Sequence, residues 1–173
     1  PKQIIYSLAD EARSVYAGDL DGDGDNDVIS GSAYDNTIAW YENQGGLNFS
    51  SEIVISSVCN DVQQVIAADM DADGDLDVLA AAYGDDDLTW HKNNGTGGFG
   101  VAIDLNPNPV GTVICMAVAD FEGDGDLDVF SAGNFSSCVG YHINGGAGIF
   151  AREVLISPHT DYPKSVCTAD LDG

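Results

Sequence analysis

The chain of 173 residues carries a formal charge of −24, with 29 acidic residues against five lysines and arginines. That balance excludes nucleic acid and anionic membranes as partners, because both repel a polyanion. Hydrophobic residues make up 44% of the sequence, enough for a real core, and no apolar run reaches the ~18 residues of a membrane span, so no direct membrane insertion is expected.

In chain order, residues 1–12 begin with Lys2-Gln-Ile-Ile-Tyr, an apolar stretch that aligns without a gap to Glu52-Ile-Val-Ile-Ser. A strand (A) is predicted near 13–18, then an acidic loop at 19–27, and further strands B near 28–33, C near 37–42 and D near 51–56. The runs are short, rich in β-branched and aromatic residues, separated by Gly-rich turns, and without helical period.

The same unit then recurs. Ser14-Val-Tyr-Ala-Gly-Asp-Leu aligns with Gln64-Val-Ile-Ala-Ala-Asp-Met, Cys115-Met-Ala-Val-Ala-Asp-Phe and Ser165-Val-Cys-Thr-Ala-Asp-Leu, a period of about 50 residues. Ile38-Ala-Trp-Tyr-Glu-Asn, Leu88-Thr-Trp-His-Lys-Asn and Val139-Gly-Tyr-His-Ile-Asn follow at matched offsets. Four strands per ~50-residue repeat is the signature of a β-propeller blade. The expected fold is therefore all-β, about three and a half blades of four antiparallel strands. Residues 13–62, 63–112 and 113–163 form blades 1 to 3; 1–12 supply the outer strand of a preceding blade, and 164–173 the inner strand and start of a metal loop of a following one. Residues 2–7 and 165–169 are expected as strands of those neighbours, and the chain as a section of a longer protein or a subunit that closes through neighbouring copies. Trp40, Trp90 and Tyr141 share one position on strand C; repetition with the fold favours packing between blades over a sugar platform.

Seventeen of the acidic residues fall in four clusters, at 19–27, 69–77, 120–128 and 170–172. The pattern D-x-D-x-D-G-x-x-D places carboxylates at positions 1, 3, 5 and 9, with a backbone carbonyl at 7 and a Gly at 6 for the sharp turn. In blade 1 these are Asp19, Asp21, Asp23, the Asp25 carbonyl and Asp27; in blade 2, Asp69, Asp71, Asp73, the Asp75 carbonyl and Asp77. Blade 3 offers Asp120, Asp124, the Asp126 carbonyl and Asp128, but Glu122 takes position 3, so its site is expected to be the weakest. Asp170 and Asp172 begin a fourth. All-oxygen shells of six or seven donors select Ca²⁺ over softer ions or Mg²⁺. Closure at position 9 before a strand separates these loops from helix-flanked calcium loops that close at position 12.

Four cysteines, Cys59, Cys115, Cys138 and Cys167, show no metal spacing; an even count fits two disulfides of a secreted protein, and apolar surroundings equally fit buried thiols. Sequons at Asn48, Asn94 and Asn134 also point to the secretory route.

The loop Asp19-Leu-Asp-Gly-Asp-Gly-Asp-Asn-Asp-Val, its flanking strands and the Trp-Tyr-Glu-Asn tail resemble FG-GAP/VCBS repeats, as in integrin α-subunit propellers. The Gly-Ala-Pro element is absent; only Gly98-Phe-Gly and Gly148-Ile-Phe echo the name. The resemblance implies a seven-bladed propeller, Ca²⁺ in the A–B loops and ligand binding at the opposite face.

Two functions follow as expectations. The first is a non-enzymatic, calcium-stabilised scaffold, extracellular or at the cell surface. It would serve adhesion, binding of a protein or glycan, or fibre and wall architecture with neighbouring copies. The second is the propeller segment of a secreted enzyme, a polysaccharide lyase or a calcium-dependent phosphatase. No catalytic constellation supports the second: His91 and His142 repeat with the fold, and His159 stands apart.

Overall fold

A computed structural model describes residues 4–46, 48–85, 87–105, 112–133, 138–151, 153–157 and 160–171. The first sheet is β1 (Ala12–Gly18), β2 (Asp27–Ser32), β3 (Thr37–Tyr41) and β4 (Ile53–Ser56). The second is β5 (Val62–Ala68), β6 (Asp77–Ala82), β7 (Asp87–His91) and β8 (Ile103–Asp104); the third is β9 (Val113–Ala119), β10 (Asp128–Gly133), β11 (Cys138–His142) and β12 (Val154–Ser157). Each is a four-stranded antiparallel meander with its strands in sequence order, as a propeller blade requires, and no helix occurs among the described residues.

Alternation along the middle strands builds the core between blades. On β6, Val78, Ala80 and Ala82 enter a cluster shared with Ile29, Ile38 and Trp40 of the first sheet. Leu79 and Ala81, on the other face, enter a cluster shared with Val113, Met116 and Val129 of the third. All six residues of β6 are buried because this sheet is covered on both faces. Close approach needs small residues: a Cβ at Gly31 would lie 2.7 Å from Val62.

A second set of links joins the inner strands. The Ser14 hydroxyl accepts the Val65 amide at 3.0 Å, and Gln64 Oε1 accepts the Met116 amide at 2.6 Å. Two side chains at one repeat position thus hold the next repeat's inner strand.

Several expectations need adjustment. Strand D of blade 2 is described over Ile103–Asp104, the Leu105 amide still donates to the Leu88 carbonyl of strand C at 2.8 Å, and 106–111 lie outside the described residues. Residues 4–7 and 165–169 belong to no strand: a ladder needs a partner strand in its own blade, and each of the three sheets is already made of four other strands. Residues 4–7 instead pack on blade 1, with Tyr6 against Tyr41 at 5.5 Å and the Tyr6 hydroxyl donating to Glu52; Lys2 lies outside the described residues.

The disulfide alternative is also corrected, since all four cysteines are thiols, with Cys59, Cys115 and Cys138 buried and Cys167 exposed. Cys115 and Cys138 sit on strands flanking β10 and pair with its adjacent residues Ala132 and Gly133. They are therefore two strand spacings apart, about 9–10 Å, beyond the ~7 Å limit for a disulfide.

Candidate metal centres in the loops between the first two strands of each blade

Each acidic loop winds around its first carboxylate. Asp19 accepts the amides of Gly22, Asp23 and Gly24 at 2.8, 3.1 and 3.0 Å. Asp120 repeats this with Gly123, Asp124 and Gly125, and Asp69 with Asp73 and Gly74. The curl demands left-handed backbone at position 6, where Gly24, Gly74 and Gly125 have φ of 94°, 97° and 99°. The carboxylate at position 5 accepts the amide at position 7: Asp25 to Asp23 at 2.8 Å, Asp75 to Asp73 and Asp126 to Asp124 at 3.1 Å.

The ninth residue has a second task. Asp27, Asp77 and Asp128 are fully buried. Each accepts the amide of position 2 (Leu20, Met70 and Phe121 at 2.9, 3.2 and 2.8 Å) and the amide of the Asn that follows strand C (Asn43, Asn93 and Asn144 at 2.7, 2.7 and 2.8 Å). Burial raises the Asp27 and Asp77 carboxyls above their ordinary range, opposed by these amide bonds. At Asp21 burial again raises the carboxyl, with added repulsion from Asp23, Glu42 and Asp19.

The structure brings Asp19, Asp21 and Asp27 together, and likewise Asp69, Asp71 and Asp77, each triad offering three oxygens within 4.8 Å of one another. Oxygens across a Ca²⁺ shell are separated by at most about 4.6–5.2 Å, so both triads fit that ion. A further sign is Asp71, whose side chain is only 7% exposed and whose Oδ1 is buried without a hydrogen-bond partner. An orphaned anionic oxygen beside the carboxylates of Asp69 and Asp77 fits a hard cation.

Among the described residues no third triad forms: Glu122 is exposed and its carboxyl is raised, so blade 3 gathers only Asp120, Asp124 and Asp128 around the turn. Asp170 is exposed, and Asp172 lies outside the described residues.

Two features escaped sequence reasoning. One is Lys92, whose ammonium contacts Asp71 and lies 3.1 Å from Asp73 inside the second loop; the aligned residues are Glu42 and Ile143, a change of charge that was visible. The other is the Asn latch. Asn93 Nδ2 donates to the Leu20 carbonyl of the preceding blade and to Leu76; Asn144 Nδ2 does the same to Met70 and Leu127. Its signal was the Asn ending each strand C tail.

The other singled-out residues are structural. The Trp40 ring lies on Gly97 and the Trp90 ring on Gly148, each in the turn after strand C of the next blade, where a Cβ would overlap the ring. Trp90 also meets Phe150 edge-on at 6.1 Å, while Tyr141 joins Phe121 and Phe130. His91 and His142 are buried, and burial pushes both imidazoles down to about 4, so they stay neutral near pH 7. Asn48 and Asn94 are exposed in the turns after strand C; Asn134 and His159 lie outside the described residues.

Four-stranded blades that wrap acidic A–B loops and lock through shared cores define a β-propeller repeat protein. The FG-GAP-like repeat matches residues 19–80, 69–131 and 120–173, and the chain belongs to that family. No curated protein matches the chain. Among solved structures it is similar to an Agrocybe aegerita lectin described as specifically recognising non-reducing terminal N-acetylglucosamine. That match has a TM-score of 0.59 and 23% identity, over 83% of this chain and 38% of the lectin chain. The chain thus spans well under half of that relative's length, and the likeness is one of fold.

Proposed function

We propose that this chain is a calcium-stabilised, extracellular or cell-surface β-propeller scaffold that binds a glycan or protein and carries out no chemistry of its own. The observation behind this reading is the pair of carboxylate triads, Asp19/Asp21/Asp27 and Asp69/Asp71/Asp77. Ca²⁺ would be held by these residues and would supply charge neutralisation. The chain's own part is to position them: the position 1 carboxylates organise the curl, and the buried position 9 carboxylates tie it to the Asn of the same blade. Bound metal would remove repulsion within each hairpin and so add to folding stability.

Ligand binding belongs at the end of the blades opposite these loops. There Arg13, Asp61, Gln63, Tyr83, Ile114 and Lys164 line a cleft of about 480 Å³, which takes two of the chain's five cationic residues. Similarity to an N-acetylglucosamine-recognising lectin favours a glycan as occupant. Asn48 and Asn94, both exposed, are the expected glycosylation positions, and intact mass before and after glycosidase treatment of secreted protein tests them.

Calorimetric titration after chelation is expected to reveal at least two calcium sites. Absence of uptake, or preference for zinc, would overturn the calcium reading. A glycan array probed with the protein is expected to return hits that Arg13→Ala with Lys164→Ala abolishes.

A further inference from the structure

The three acidic loops differ at one aligned position just after strand C: Glu42 in blade 1, Lys92 in blade 2 and Ile143 in blade 3. Among the described residues, a cation enters the loop in blade 2 alone. The Lys92 ammonium contacts Asp71 Oδ2 and lies 3.1 Å from Asp73 Oδ2, so it bridges positions 3 and 5 of the ligand pattern. The contacted Asp71 is the half-satisfied carboxylate, with Oδ1 buried and unpartnered. The ammonium therefore neutralises part of the cluster without completing it, and the remaining oxygen still calls for a positive charge. In blade 1 the aligned side chain has the opposite sign, and Glu42 adds to the repulsion felt by Asp21.

We propose that Lys92 is a built-in counter-ion of the second loop. It stands against Asp71 and Asp73 in the absence of a divalent ion and must swing out for one to enter. The lysine has the means to do so: its stem is flexible, and its side chain is 45% exposed. Loop 2 then keeps its fold without metal and takes calcium at higher concentration than loop 1, where Glu42 adds a negative charge. One chain thereby carries a site that stays filled and a site that responds to calcium over a higher range. The ordering of sites rests on the calcium reading above; the counter-ion role does not.

The test uses the full chain, wild type, Lys92→Met and Glu42→Lys, with calcium as the probe. An ammonium about 5 Å from a divalent ion in water-like dielectric alters binding by about tenfold. Lys92→Met is therefore expected to tighten the weaker of the two calcium sites by about tenfold and leave the tighter one unchanged. Glu42→Lys is expected to weaken the tighter site by at least that factor. In chelator at low salt, Lys92→Met is expected to melt below wild type, with the loss restored by calcium. Unchanged calcium affinities in Lys92→Met together with an unchanged melt in chelator would overturn the proposal. If no variant takes up calcium, the calcium reading and the site ordering fall, and the chelator melts alone decide the counter-ion role: a lower melt for Lys92→Met upholds it and an unchanged one sinks it.

Discussion

Asn93 of the second blade donates its side-chain amide to the Leu20 carbonyl of the first at 2.7 Å, while its own backbone amide donates to Asp77 at 2.7 Å. One buried residue thus ties the acidic loop of its blade to the acidic loop of the blade before, and Asn144 repeats the arrangement one blade later. The Asn43 side-chain amide reaches only Asn26 of its own blade in the described chain. Loop order and blade docking are therefore coupled.

Asn93→Ala strands the Leu76 carbonyl and the Gly95 amide, and removes one of the two bonds at the Leu20 carbonyl and at the Asn94 amide, which keep Gly97 and Gly98 as partners. Buried groups left unpaired cost about 1–3 kcal/mol each, and relaxation shares part of that, so a loss of about 2–4 kcal/mol is expected. Urea melts measure it. Asn43→Ala, lacking the link to a neighbouring blade, is expected to cost less; equal losses would mean the latch across the boundary contributes nothing.

Asp21→Asn keeps the shape of the side chain and removes its charge. In calcium it is expected to lower the melting temperature and weaken one site by about tenfold or more. In chelator it is expected to leave stability unchanged or slightly raised, because the Asp21 carboxyl is held above its ordinary range by burial and acidic neighbours. Paired melts in the two buffers check the difference, which a structural role for Asp21 would erase.

The buried histidines set an acid limit. His91 and His142, pushed down to about 4, stay neutral in the fold while the unfolded chain protonates near 6.5. Between those values the unfolded state binds more protons, so this stability is fully present above about pH 6.5. It is lost progressively as pH falls, and gone below about pH 4, to the extent of roughly 3 kcal/mol per histidine. The raised carboxyls of Asp27 and Asp77 act in the opposite direction, so the measurement is the difference between wild type and His142→Gln. That difference is expected to shrink from pH 7 to pH 4; a pH-independent difference would contradict it.

Position 4 of the loops offers a stabilising change. Gly22 and Gly123 have φ of 76°, and Ala72 in the second loop adopts the same left-handed backbone at 59° with a side chain attached. That conformation costs a non-glycine residue roughly 1–2 kcal/mol, partly offset by glycine's greater freedom when unfolded. Ala72→Gly is expected to raise stability by about 0.5–1 kcal/mol, seen as a rise of a few degrees in thermal melting.

The sequence by itself determined the all-β class, the four-stranded unit, its period and the acidic loops, because these are local. Strand alternation, turn glycines and D-x-D-x-D-G spacing act within about a dozen residues, and repetition multiplied a weak signal into a firm one. It also ranked Trp40 and Trp90 as packing residues, since a position that recurs with the fold serves the fold. Tertiary structure decided what depends on residues distant in sequence. Asn93 meets Leu20 only because blades stack, and the thiols of Cys115 and Cys138 stay apart only because β10 runs between them. Lys92 meets Asp71 only because strand C returns beside the loop, turning five apparently equivalent carboxylates into a site with its own counter-charge. Charge and hydrogen-bond partners act through space over a few ångströms, and the chain separation of 21 residues between Lys92 and Asp71 hides that proximity until the sheet is folded.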